Sequence, residues 1–138
     1  MLEKDYFSIL GLQKQFDICK IQLEKNYFDL SKSSKDPALL NEAYSTLKND
    51  YKRANVLYNL NNSKTINDKV STEFLNEVIE LEDKIDQADH KELLVLKLKI
   101  EDKIKECKFN YFRKDYLNKW RYFLRLEELV EKRLEEFE

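Results

Sequence analysis

The sequence predicts an all-α protein: a short helical N-terminal domain followed by a C-terminal antiparallel three-helix bundle. Three observations carry that prediction. Among 138 residues there is one Gly and one Pro, and a many-stranded sheet cannot be built without turn residues. Eight Phe, eight Tyr and one Trp are more aromatics than a disordered chain carries. Apolar residues recur at spacings of three and four through successive stretches, which is helical periodicity.

The elements follow in order. A short helix is expected over 5–10, with Gly11 just past its end. Asp17 reads as the N-cap of a second helix. Its Ile18, Ile21, Leu23, Tyr27, Phe28 and Leu30 recur at helical spacing to about residue 31. Ser31-Lys32-Ser33-Ser34-Lys35 is a polar loop. Asp36 caps the third helix and Pro37 occupies its first position, where a missing N–H is harmless. Leu39, Leu40, Ala43, Tyr44 and Leu47 form its apolar face. Asn49-Asp50 marks a break, and a fourth helix carries Ala54, Leu57, Tyr58 and Leu60. Domains are expected over 1–62 and 71–138, with a polar linker at 63–70. The second domain reads as three long helices. Ser71 or Thr72 caps the first, the second begins near Asp89 and the third near Asp115. Short connections make sequential neighbours antiparallel.

Composition excludes several functions. One glycine cannot make a Gly-rich phosphate loop, so Rossmann and P-loop chemistry are out. Cys19 and Cys107 are far apart and fit a reducing compartment better than a disulfide scaffold. With His90 the single histidine, no zinc site of the usual spacing can be drawn. No cofactor or metal is expected, and no cluster of His, Cys or carboxylates stands at catalytic spacing, so the chain does not read as an enzyme. No run approaches the ~18 apolar residues of a membrane span. The N-terminus lacks the cationic region of a signal peptide. A cytoplasmic protein without a membrane partner is the expectation.

Charge is unevenly spread: net +2 over 1–70, −6 over 71–90, +5 over 91–121 and −3 over 122–138. Such alternation suits antiparallel helices that attract their neighbours. The basic block interleaves Lys103, Lys105, Lys108, Arg113 and Lys114 with Phe109, Tyr111 and Phe112, a mixture that can serve nucleic acid. Glu101, Asp102 and Glu106 interrupt it, and nucleic acid is not the expected partner.

The first helix of the second domain has more than one apolar face. At about 100° per residue, Phe74, Val78, Leu81 and Ile85 share a band of roughly 60° and form a core stripe. Leu75 and Ile79 lie about 100° and 140° round from Phe74. Asn76, Glu80, Asp83 and Gln87 continue that flank. Two aliphatics beside an acidic strip suit a partner contact, with apolar groups for affinity and carboxylates for steering. The same pattern would arise if Leu75 and Ile79 only widened the core stripe or packed on the first domain. On the last helix Trp120, Phe123, Leu124, Val130, Leu134 and Phe137 read as inward. Tyr122 projects about 200° from Trp120.

Three segments, in order, resemble one family. Asp5-Tyr6-Phe7-Ser8-Ile9-Leu10-Gly11-Leu12 is similar to the opening of HscB-type J-domain co-chaperones. Asn41, Ala43, Tyr44, Thr46, Leu47, Arg53, Ala54 and Leu57 match their Asn-x-Ala-Tyr-x-Thr-Leu…Arg-Ala-x-x-Leu segment. The stretch FLNEVIELEDKID, 74–86, resembles the start of their C-terminal three-helix domain. The resemblance implies a J-like N-terminal domain and a role in iron–sulfur cluster assembly. Its implied partners are a cluster scaffold protein (IscU type) and a DnaK-type chaperone (HscA type). The scaffold-binding positions carried over are Leu75, Asn76, Ile79, Glu80, Asp83, Gln87 and Tyr122. Asn76 is apolar in many relatives, Gln87 lacks the acid often found there, and Asp83 shortens a Glu. J-domains also depend on a His-Pro-Asp tripeptide after their second helix, and it is absent here. Lys35-Asp36-Pro37 does not replace it, because an N-cap followed by Pro at the first helical position explains those residues. Chaperone activation is therefore expected to be impaired. Lys20, Lys25 and Lys32 remain as a weak attraction for an acidic chaperone surface. The alternative is a helical adaptor with no chaperone role.

Overall fold

The computed structural model describes residues 5–61 and 70–138, and every regular element among them is an α-helix. The chain divides into two compact units, Met1–Ile66 and Asn67–Glu138. The expected linker, 63–70, lies outside the described residues except for Val70.

In the first unit, α1 (Tyr6–Ile9) is a single turn capped by Asp5, whose carboxylate accepts from the Ser8 N–H at 3.1 Å and the Ser8 hydroxyl at 2.9 Å. Gly11 follows at φ +65°, the left-handed conformation that a side chain resists. The Asn26 amide donates to the Leu10 carbonyl at 2.8 Å and ties this turn to α2 (Lys20–Ser31).

Helix α2 does not start at Asp17. Its N-cap is Cys19, without a side-chain cap bond. The cause is tertiary. Phe16 is buried, the Arg53 Nε donates to its carbonyl at 2.7 Å, and the guanidinium lies 4.7 Å from its ring centre. Those contacts hold the chain before Cys19 out of the helix. Of the apolar residues that recur along α2, Leu23 is the one buried. Ile21 and Phe28 are 81% and 62% exposed, and Leu30 is exposed as well.

Next come α3 (Pro37–Lys48) and α4 (Asp50–Asn61). Asp36 accepts from the Leu39 N–H at 3.1 Å, with Pro37 at the first helical position. Asn49 accepts from the Lys52 N–H at 3.0 Å and so caps α4. Tyr27 stacks on Tyr44, ring centres 4.1 Å apart, and its hydroxyl donates to Asn41. Arg53 is 3% exposed. Besides Phe16 it donates to the Leu47 carbonyl and to Asp50, both at 2.8 Å. A buried guanidinium is tolerable because its donors are satisfied in this way.

The second unit contains α5 (Thr72–Gln87), α6 (His90–Phe109) and α7 (Lys114–Glu135). Ser71 caps α5, accepting from the Phe74 N–H at 3.0 Å. Asp89 and Glu92 form a reciprocal capping box at the start of α6. The connections are short, so the helices run up, down and up. Phe74, Val78, Leu81 and Ile85 are buried, as their spacing predicts. On α7 the buried set is Leu117, Trp120, Phe123, Leu126 and Val130 with Asn118. Leu124 and Leu134 are only half-buried. Phe137 lies beyond the helix end and is exposed, its ring 5.5 Å from that of His90. Arg133 closes the bundle by donating to the carbonyls of Ile85 (3.3 Å), Asp86 (3.3 Å) and Ala88 (2.7 Å). It thereby satisfies carbonyls that α5 leaves open at its end.

Candidate functional site

Helix α5 holds two faces apart. Its core stripe packs mainly on α7, while Leu75 is 37% and Ile79 is 55% exposed. Asn76, Glu80, Asp83 and Gln87 are exposed too. The helix carries six acidic residues and one lysine, so the apolar pair sits in a negative field that favours a basic partner. Phe74 links this face to α7. Its ring meets Tyr122 edge-on, centres 5.6 Å apart, and Phe123 edge-on at 5.4 Å. Tyr122 is half-buried, with the Arg121 guanidinium 5.2 Å from its ring. The fold therefore brings Tyr122, from 47 positions further along the chain, to the residue beside Leu75.

Further along, Arg125 on α7 pairs with Glu82 at 3.2 Å. A groove lined by Asp83, Asp86, Leu129 and Lys132 continues between the two helices. Sequence reading does not single out Arg125 or Leu129. Their signal is spacing: they stand three and seven residues after Tyr122 and share its flank of α7.

The lysines of the first unit are less coherent. Lys25 and Lys32 fall within about 20° on α2, while Lys20 is more than about 100° away. The Lys20 ammonium lies 3.8 Å from Asp50. Lys32 is the C-cap residue, its ammonium 4.9 Å from the Phe28 ring centre. Exposed Ile21 and Phe28 share the Lys25–Lys32 side, about 140–160° round the helix from buried Leu23. The α2–α3 connection is a tight, internally bonded turn. Ser34 accepts from the Asp36 N–H at 3.2 Å, and the Asp36 carboxylate is engaged as a cap.

Burial raises the Cys107 thiol to about 12, with Glu106 adding to the shift. It is a poor nucleophile at neutral pH. Among the described residues, no group of three or more His, Cys, Asp or Glu is placed to hold a metal ion. No helix among them is long and apolar enough to cross a membrane.

Comparison with known proteins adds an independent line. No protein-family model matches the sequence. A curated protein, the co-chaperone protein HscB of Proteus mirabilis, is 32% identical over an alignment covering 62% of this chain. Over that alignment the chain is similar to HscB. The alignment spans 61% of that HscB's own length. In fold the match is wider. The crystal structure of human co-chaperone protein HscB superposes with a TM-score of 0.82 at 22% identity, covering 94% of this chain and 81% of that one. The chaperone HscB from Vibrio cholerae gives 0.79 at 22% identity, over 94% and 96%. The all-helical architecture is thus that of HscB.

Proposed function

We propose that this chain is an HscB-like co-chaperone of iron–sulfur protein maturation, working in the cytoplasm, which binds an IscU-type scaffold protein and directs it to a DnaK-type, HscA-like chaperone. The observation that carries the reading is the exposed pair Leu75 and Ile79, with Tyr122 drawn alongside through Phe74. Asn76, Glu80, Asp83 and Gln87 complete that face, on positions carried over from the family resemblance. Apolar anchors surrounded by carboxylates give affinity at the centre and steering at the rim. The protein catalyses nothing in this scheme; any effect on ATP hydrolysis would arise in the chaperone's own active site. Domains 1–62 and 71–138 would divide the work, the first facing the chaperone and the second the scaffold.

A second reading, a helical adaptor with no chaperone role, is favoured by the α2–α3 turn. No His-Pro-Asp stands there, and the one carboxylate in that turn, Asp36, already caps α3. We expect scaffold binding with little ATPase stimulation. Calorimetric titration of the purified chain with an IscU-type scaffold tests the first part, and absence of binding at millimolar concentration would refute it. Single-turnover ATP hydrolysis by the chaperone, with scaffold present, tests the second. A tenfold increase, about 1.4 kcal/mol off the barrier, would show activation without the tripeptide.

A further inference from the structure

Helix α6 buries Leu93, Leu96, Ile100 and Cys107 on one side. On the opposite side it exposes three aliphatics: Leu94 at 44%, Val95 at 62% and Leu98 at 65%. Val95 also borders Lys84 and Gln87 at the end of α5, across a pocket between the two helices, while Leu94 and Leu98 do not line it. Lys91, Val95, Leu98, Asp102, Lys105 and Phe109 follow one another at steps of four and three, and all are exposed. At about 100° per residue they occupy a band some 80° wide, centred opposite the core stripe. Alternating steps of four and three are the spacing of a helix–helix seam. The seam is charged at both ends of its aliphatic centre, positive at Lys91 and negative at Asp102.

We propose that this face is a self-association surface, on which α6 of a second copy of this chain packs antiparallel. A two-fold axis between Leu96 and Lys97 places Val95 of each copy against Leu98 of the other. It also places each Lys91 against the other copy's Asp102, so the surface is complementary to itself, as an isologous contact must be. Leu94 flanks the centre. Moving the axis along the helix to the level of Ile100 is excluded by charge. That register would pair Leu98 with Asp102 and Val95 with Lys105, leaving aliphatics facing charges. The paired part of the seam, Lys91 to Asp102, spans about three helical turns and buries well under the ~1,600 Å² of a standard interface, so the association is weak and shows itself only at high concentration.

Sedimentation equilibrium of the full chain, from micromolar to millimolar, reads the association. The expected result is a monomer–dimer equilibrium that Leu98→Lys abolishes, with helical content unchanged because the side chain is exposed. Lys91→Glu and Asp102→Lys should each weaken the dimer on the order of tenfold, since two pairs are lost and like charges meet twice. The double variant Lys91→Glu/Asp102→Lys should return the affinity to within a few-fold of the parent. A monomer at millimolar concentration would overturn the proposal and leave the face to another occupant. So would a dimer insensitive to Leu98→Lys, or a double variant no tighter than the single ones.

Discussion

Cutting Leu75 and Ile79 back to alanine separates a binding face from a core. At 37% and 55% exposed, they leave a partner about a third of one side chain and half of the other to cover. Full burial of such a side chain is worth about 1.5–3 kcal/mol, so the transfer contribution alone is roughly 1–2.5 kcal/mol for the pair by the same scale. Central anchors lose more than transfer when truncated, and about 2–4 kcal/mol is expected. That is a roughly 30- to 700-fold rise in Kd at about 1.4 kcal/mol per decade. Stability should fall by no more than about 2 kcal/mol, because both side chains are already partly in water. Val78 and Leu81, on the same helix, are 4% and 3% exposed. Truncating that pair leaves cavities, and Leu→Ala in a core costs about 2–5 kcal/mol alone. Calorimetry with an IscU-type scaffold measures the first quantity, urea unfolding the second. The surface assignment is refuted if Leu75→Ala/Ile79→Ala unfolds the chain as readily as Val78→Ala/Leu81→Ala. It is equally refuted if the surface pair leaves Kd within threefold.

Further outcomes follow from the same structure. Replacing Arg53 by Met should destabilise the first unit by about 3–5 kcal/mol, because Asp50 loses its guanidinium and two carbonyls lose their donors; urea unfolding by circular dichroism checks it. Cys19 is exposed and should react with a thiol reagent in the native chain, whereas buried Cys107 should react only on unfolding. Because the folded chain holds the Cys107 proton to about pH 12 and the unfolded chain releases it near 9, stability should decline as pH rises through that window. Burial, with Glu131 and Glu101 nearby, raises the Glu127 carboxyl above its ordinary value. Its charged form is thus disfavoured in the fold, so Glu127→Gln should melt higher than the parent at neutral pH, and the gap should close as pH falls through the carboxylate range.

Local chemistry settles part of this fold before any packing is known. Asp5, Asp36, Ser71 and Asp89 each accept from an N–H three residues ahead, so the helix starts that they fix are legible from a few adjacent letters. The core stripe of α5 and its off-core pair are legible too, because a strongly amphipathic helix has one face that must be buried. Angle separates Leu75 and Ile79 from Phe74 and Val78, but their 37% and 55% exposure, which rules out a merely widened core stripe, comes only from the packed structure. Other features depend on contacts that distance along the chain conceals. Asp17 has the chemistry of a cap, but Arg53, thirty-six positions later in sequence, holds the Phe16 carbonyl and delays α2 to Lys20. The apolar residues of α2 fall on two sides, Leu23 on one and Ile21 with Phe28 on the other, and only the packing of the first unit shows that the side of Leu23 is the covered one. Helix α6 has apolar groups on two opposite sides, and periodicity cannot say which of them meets α7. The pairing of Tyr122 with Phe74 belongs to the same class. It is a contact between residues on different helices, created when α7 returns along α5, and no window on the sequence contains both.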